Sequence, residues 1–180
     1  MRTSHLLGIV ATAAFALLTP NASAFTNVTT GDPVTAFLTS PTFAQGSFTN
    51  CTGSTLAMTV TQDAGPGAGG ALEIHTASFS GCTSFGSPVT WTPDTSTPWP
   101  VTINGAGTAT MRNFNYTQRW GSLWCQYSGD LMGAYNQATG QLVLSGSVTR
   151  RNGSSLCPST AAISASYNVR SATTNAYVTL

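Results

Sequence analysis

The sequence predicts an all-β protein, a single disulfide-stapled β-sandwich with a β-barrel as the alternative, and three observations carry that prediction. Apolar and polar residues alternate with period two through several segments. Turn-forming glycines and asparagines recur between those segments, and no long stretch carries a helical period. Four cysteines, Cys51, Cys82, Cys125 and Cys157, all lie beyond residue 24, and an even count of this kind points to two disulfides formed in an oxidising compartment.

Residues 1–24 read as a signal peptide. Arg2 precedes the apolar run "LLGIVATAAFALL", Pro20 breaks it, and the small residues Ala22 and Ala24 place cleavage before Phe25. The run is too short to span a bilayer, and no later segment approaches the length of a membrane helix. The expected mature chain, 25–180, is exported, secreted or periplasmic, and has the length of one domain. Its first part, Phe25 to Phe48, reads as a segment able to pair with a neighbouring subunit, as strand-adding fibres do.

The stretch "GSTLAMTVT" places Leu56, Met58 and Val60 on one face of a strand, and "ALEIHTASF" places Leu72 and Ile74 on a matching one. Joining the apolar faces sets Val60 opposite Leu72 and Met58 opposite Ile74. Cys51 and Cys82 then fall one residue out of step, which one β-bulge between Thr76 and Ser78 would repair. Between the strands lies "GPGAGG", residues 65–70. A phosphate-binding P-loop would follow its last glycine with lysine and serine or threonine, whereas Ala71 and Leu72 stand there and the chain has no lysine, so the stretch reads as a hairpin tip.

A second hairpin, "LMGAYNQATGQLVLSGSV", has a loop from Gln137 to Gly140 and sets Tyr135 opposite Leu142. Asn104 and Gly105 mark another turn, and "AAISASYNV" and "NAYVTL" read as closing strands. Three cysteine pairings are possible. The near-equal spacings favour Cys51–Cys82 and Cys125–Cys157, each bracketing one hairpin and each adding roughly 3 to 4 kcal/mol by loop entropy.

Charge excludes more than it suggests. The formal net charge is +1, with no basic patch for nucleic acid or an anionic membrane. His75 is the one histidine of the mature chain; beside Glu73 on a polar strand face, with no G-x-S-x-G elbow, it reads as solvated rather than catalytic. One histidine and four oxidised cysteines leave too few ligands for zinc, and Asp32, Asp63, Asp94 and Asp130 form no calcium-loop run, so neither metal nor cofactor is expected. The reading is non-enzymatic; a hydrolase using Glu73 or Asp130 is the residual enzymatic alternative.

The aromatic segments "WTPDTSTPWP" and "YTQRWGSLWC" supply the candidate ligand-binding residues Trp91, Asp94, Trp99, Arg119 and Trp120, whose rings in loops could stack on a glycan or cover a hydrocarbon. Core packing is the competing role for the rings, and Trp124 beside Cys125 fits a disulfide cover.

Finally, "NCTGSTLAMTV", "ASFSGC" and "PWPVTI", within residues 48–105, resemble the secreted protein activator of alkane oxidation family and similar small exported bacterial β proteins. The resemblance rests on Cys51, Cys82, Pro98 and Trp99 and implies a non-enzymatic exported β protein associated with hydrophobic substrates or a biofilm matrix. The leading functional expectation is a matrix, adhesion or self-assembling subunit, because a lysine-free surface leaves the edges of an open sheet unguarded. The alternative is an extracellular binding module for glycans or apolar ligands through the tryptophan loops.

Overall fold

A computed structural model describes residues 25–39, 43–45 and 49–180. The leader read as a signal peptide lies outside the described residues. Among those described, all regular structure is strand. The chain begins with β1 (Phe25–Asn27), β2 (Pro33–Leu38) and β3 (Phe43–Gln45), followed by the long β4 (Thr49–Asp63) and β5 (Gly69–Ser84). Three short strands come next: β6 (Ser87–Pro88), β7 (Thr90–Pro93) and β8 (Trp99–Asn104). The long β9 (Thr108–Trp120), β10 (Leu123–Asn136), β11 (Gln141–Gly153) and β12 (Thr160–Ser171) precede the short β13 (Tyr177–Thr179).

Strands β2, β4, β5, β8, β9, β10, β11 and β12 pair antiparallel in that order, and β12 returns to β2 with Val169 opposite Ala36, closing an eight-stranded barrel. The barrel, named as the alternative from the sequence, stands in place of the expected sandwich. Strands of this length twist and bend at their bulges, so the sheet curls until its two edges meet rather than dividing into two layers. Strand β3 takes over from β2 between β12 and β4, and β7 takes over from β8 against β9, so two barrel positions are each filled by two short strands.

Of the N-terminal segment expected to reach a neighbouring subunit, the described strands β1, β2 and β3 pair within the chain. Strand β2 pairs with β4 on one side and β12 on the other, and β1 lies parallel to β13. The edges of β2 and β12 meet at the barrel seam, whereas β1 pairs with β13 alone.

The hairpin registers follow the apolar alternation. Val60 faces Leu72, Met58 faces Ile74 and Tyr135 faces Leu142. A bulge lies two residues earlier than expected, at His75, between the Met58–Ile74 and Ala57–Thr76 pairs, and the register shifts again between Val60 and Gln62. It restores Cys51 opposite Cys82 and lets Phe79 pack against the core. Cys51–Cys82 and Cys125–Cys157 are the two disulfides. Gly140 closes the second hairpin at φ +64, the left-handed conformation that glycine adopts without a steric penalty.

Most apolar side chains point inward and most threonines, serines and asparagines outward, with Thr49, Ser54 and Ser84 among the buried exceptions, the reverse of a membrane-spanning barrel. Eight strands enclose just enough width for side chains to fill. Here the filling is aromatic: Trp91 stacks on Tyr116 at 4.5 Å, Tyr116 on Tyr127 at 5.5 Å, and Phe114 meets Trp99 edge-on at 4.9 Å. Offset and edge-on contacts of this kind stabilise beyond their buried area.

The end of the barrel at the "GPGAGG" tip is plugged by the last residues. Leu180 is fully buried, and its carbonyl oxygen accepts from Gly67 N at 2.9 Å, while Gln137 Oε1 accepts from Leu180 N at 2.9 Å. Tyr135 donates its hydroxyl to Val178 O. The glycine-rich stretch is a hairpin tip, as expected, and its bare N–H groups also hold the plug.

Burial pushes the Tyr116, Tyr135 and Tyr167 phenols well above their ordinary value of 10.0; repulsion from Tyr127 adds to this at Tyr116, and the Ser54 hydrogen bond partly offsets it at Tyr167. Their folded-state values exceed the unfolded one, so the stability they contribute is fully present below the unfolded value and is lost as the pH climbs beyond it. In an alkaline titration, phenolate absorbance from these three side chains should appear only together with loss of near-UV circular dichroism. Their ionisation within an intact near-UV spectrum would contradict the packing described. Leu180→Ala should lower unfolding free energy by roughly 2–4 kcal/mol in a urea melt, and an unchanged midpoint would show that the plug does not support the barrel.

Candidate functional site

The opposite end of the barrel is open. Its rim is built by the turn after β5, the tight turn between β9 and β10, strand β3, and the loop from Ser154 to Ser159 that joins β11 to β12. Phe85 and Gly86 turn the chain at φ +49 and +79, and Gly121 at +55, so both turns reverse sharply.

The 154–159 loop is fastened from several sides. The Cys125–Cys157 disulfide ties it to β10, and Ser154 N donates to Trp124 O at 3.0 Å. Arg150, exposed along part of its length, donates through Nη1 to Ser154 O at 3.0 Å and to Cys157 O. The Tyr127 hydroxyl donates to Pro158 O at 3.2 Å; burial raises this phenol, and the nearby Arg150 charge opposes the rise.

Within this rim lies a cavity of about 650 Å³. Its wall is mainly apolar, from Phe85, Trp120, Leu123, Leu156, Pro158 and Ala161, with Gln45, Thr49, Ser84 and Thr160 as its polar members. Among the described residues, no charged side chain lines it. Phe85 and Leu156 are 78% and 81% exposed, so the cavity opens between two apolar lips.

Beneath the wall runs a buried polar chain. Gln118, fully buried, donates Nε2 to Thr49 Oγ1 at 3.5 Å, and Thr49 donates to Ser84 Oγ at 2.9 Å. The Oε1 atoms of Gln118 and Gln45 and the Tyr116 hydroxyl are buried with no hydrogen-bond partner among the described residues.

The tryptophan platform expected from the sequence is not assembled. Trp91 and Trp99 are 4% and 0% exposed and belong to the barrel filling, the competing role considered for them. Alternation carries both rings inward on β7 and β8, where Trp99 Nε1 donates to Asp94 O at 3.0 Å. Asp94 braces its own turn, accepting from Ser96 Oγ at 2.6 Å and from Asn115 Nδ2 at 3.1 Å. Arg119 is exposed on the outer face, 6.0 Å above the Trp124 ring. Trp120 alone of the expected set lines the cavity.

A second concavity, of about 310 Å³, lies on the barrel side where β9 and β10 slip register near Gly129. Asp94, Asn113, Asn115, Ser128, Asp130 and Arg151 line it, and Asp130 Oδ1 accepts from Asn113 N at 3.1 Å. Among the described residues no three of histidine, cysteine, aspartate and glutamate are grouped to hold a metal ion. His75, the bulge residue, is exposed, with Nε2 3.0 Å from Thr59 Oγ1.

Sequence reasoning missed Gln45, Thr49, Ser84 and Gln118. One signal was present: in "FNYTQRW", Gln118 holds the same parity as Phe114 and Tyr116 and so falls on the apolar face. Gln45, Thr49 and Ser84 carry no such mark, because their role arises from strands meeting at the rim. The chain matches no protein-family model, no curated protein and no solved structure.

Proposed function

We propose that this is an exported, non-enzymatic binding protein that takes up a small apolar molecule at the open end of its barrel. One observation carries the reading: an uncharged, mainly apolar cavity of about 650 Å³ occupies the end that the plug leaves free. Its volume is within the range of small-molecule sites, and apolar walls with few polar groups are the usual composition of such sites. The exposed lips Phe85 and Leu156 offer an incoming apolar molecule a first contact before it reaches the cavity. The two disulfides suit an oxidising, extracellular setting, and one of them holds the cavity wall. This reading keeps the apolar-ligand alternative drawn from the sequence but moves its site from the tryptophan loops to the barrel mouth.

An uncharged naphthylamine dye should gain fluorescence with a single-site titration curve on binding residues 25–180. Leu156→Asp sets a carboxylate against the apolar wall, and desolvating that charge should weaken dye binding by about tenfold or more while leaving far-UV circular dichroism unchanged. Failure of the dye to bind, or full binding by the variant, would refute the site. Reducing Cys125–Cys157 frees the 154–159 loop and should weaken dye binding several-fold; unchanged affinity after verified reduction would show that the loop is not part of the wall.

A further inference from the structure

We infer that the barrel mouth selects an uncharged amphipathic ligand whose polar end is a hydroxyl, a medium-chain alcohol, over a hydrocarbon, an ether or a carboxylate. The inference rests on the binding reading above and deepens it. A cavity made only for a hydrocarbon would be lined by carbon or by polar groups already satisfied within the protein, because an unpaired buried acceptor is unfavourable. Here Gln45, on the cavity wall, has a buried Oε1 with no partner among the described residues. Gln118 repeats the feature beneath the wall, its Oε1 also unpaired although its Nε2 is spent on Thr49.

Both unpaired amide atoms are acceptors, so the missing group is a donor. Two residues before Gln118, on the same inward face of β9, the Tyr116 hydroxyl is likewise buried without a partner. An alcohol hydroxyl donates one hydrogen bond and accepts others, which suits a cavity whose wall carries the unpaired Gln45 oxygen.

A carboxylate fits poorly. It brings only acceptors, and among the described residues no cation lines the cavity to offset its desolvation. An ether has no donor for the unpaired Gln45 oxygen, and an alkane leaves that oxygen as it is. The apolar wall from Trp120 to Leu156 then takes the alkyl chain, with the hydroxyl inward.

The test is displacement of the bound naphthylamine dye by 1-octanol, its methyl ether and octanoate, with residues 25–180 at neutral pH. Octanol should displace the dye at a concentration about tenfold lower than either competitor, the discrimination expected from one buried hydrogen bond that the others cannot make. The ether is the more apolar molecule, so greater hydrophobicity cannot produce that order. Gln45→Met and, separately, Gln118→Met should reduce the octanol advantage and leave displacement by the ether unchanged. The Gln45 variant alters a partly exposed rim residue, so the test survives if the Gln118 variant fails to fold.

Equal displacement by octanol and ether, or tightest binding by octanoate, would overturn the alcohol inference while leaving the apolar site intact. An advantage that persists in both methionine variants would overturn the role of the two amides. If the dye never binds, the site itself fails, an outcome distinct from all of these. Sedimentation of the ligand-free protein across concentration completes the test: a dimer that buries Leu156 and excludes the dye would replace the small molecule with a second copy of the chain.

Discussion

The seam between β12 and β2 is the constraint on which the rest of the molecule depends. Val169 faces Ala36 there, and Thr39 donates its hydroxyl to Ser166 O across 127 residues of sequence. Without this pairing the strands would form an open, curled sheet whose inner face reached water. With it, the interior has a fixed width, and that width selects what can fill it: stacked and edge-on rings of Trp91, Trp99, Phe114, Tyr116 and Tyr127. A closed barrel also has no seam edge left to pair with another chain, so the surface needs no lysine to guard one there.

Closure leaves two ends, and the chain treats them differently. At one, backbone N–H groups of the glycine-rich loop and the Gln137 amide hold Leu180 inside the rim. At the other, the strands give way to Phe85, Leu156 and a disulfide-held loop around an uncharged hollow. The aromatic filling lies between, and the polar chain of Gln118, Thr49 and Ser84 marks the level at which apolar packing stops.

How much of this was legible in the sequence follows from the range of each interaction. Hairpin register is local, and Val60 against Leu72 or Tyr135 against Leu142 can be read from alternation across a short loop. The cysteine pairing is nearly as local, since each bridge spans one hairpin. The seam is not, because a sandwich and a barrel share the same hairpins and differ only in whether distant edges meet. The tryptophans were ambiguous for a related reason: among the prolines of "WTPDTSTPWP" they resemble loop residues, whereas Trp91 sits on a short strand paired with β9 and Trp99 on one paired with β5 and β9. The rim polar groups were silent, since Thr49 and Ser84 look like any solvated residues until their strands place them together.

The seam also bears on the order in which the molecule can be made. Strand β2 is synthesised early and β12 late, so while the chain elongates β2 has an open edge that only a distant strand can cover. Local hairpins such as β4–β5 can form at once, but the barrel as a whole waits for its far end, a contact pattern that folds slowly. Until then the chain is an apolar-faced ribbon, exposed to aggregation through its unpaired edges. The Cys51–Cys82 bridge, formed across an early hairpin, holds one register in place during that interval.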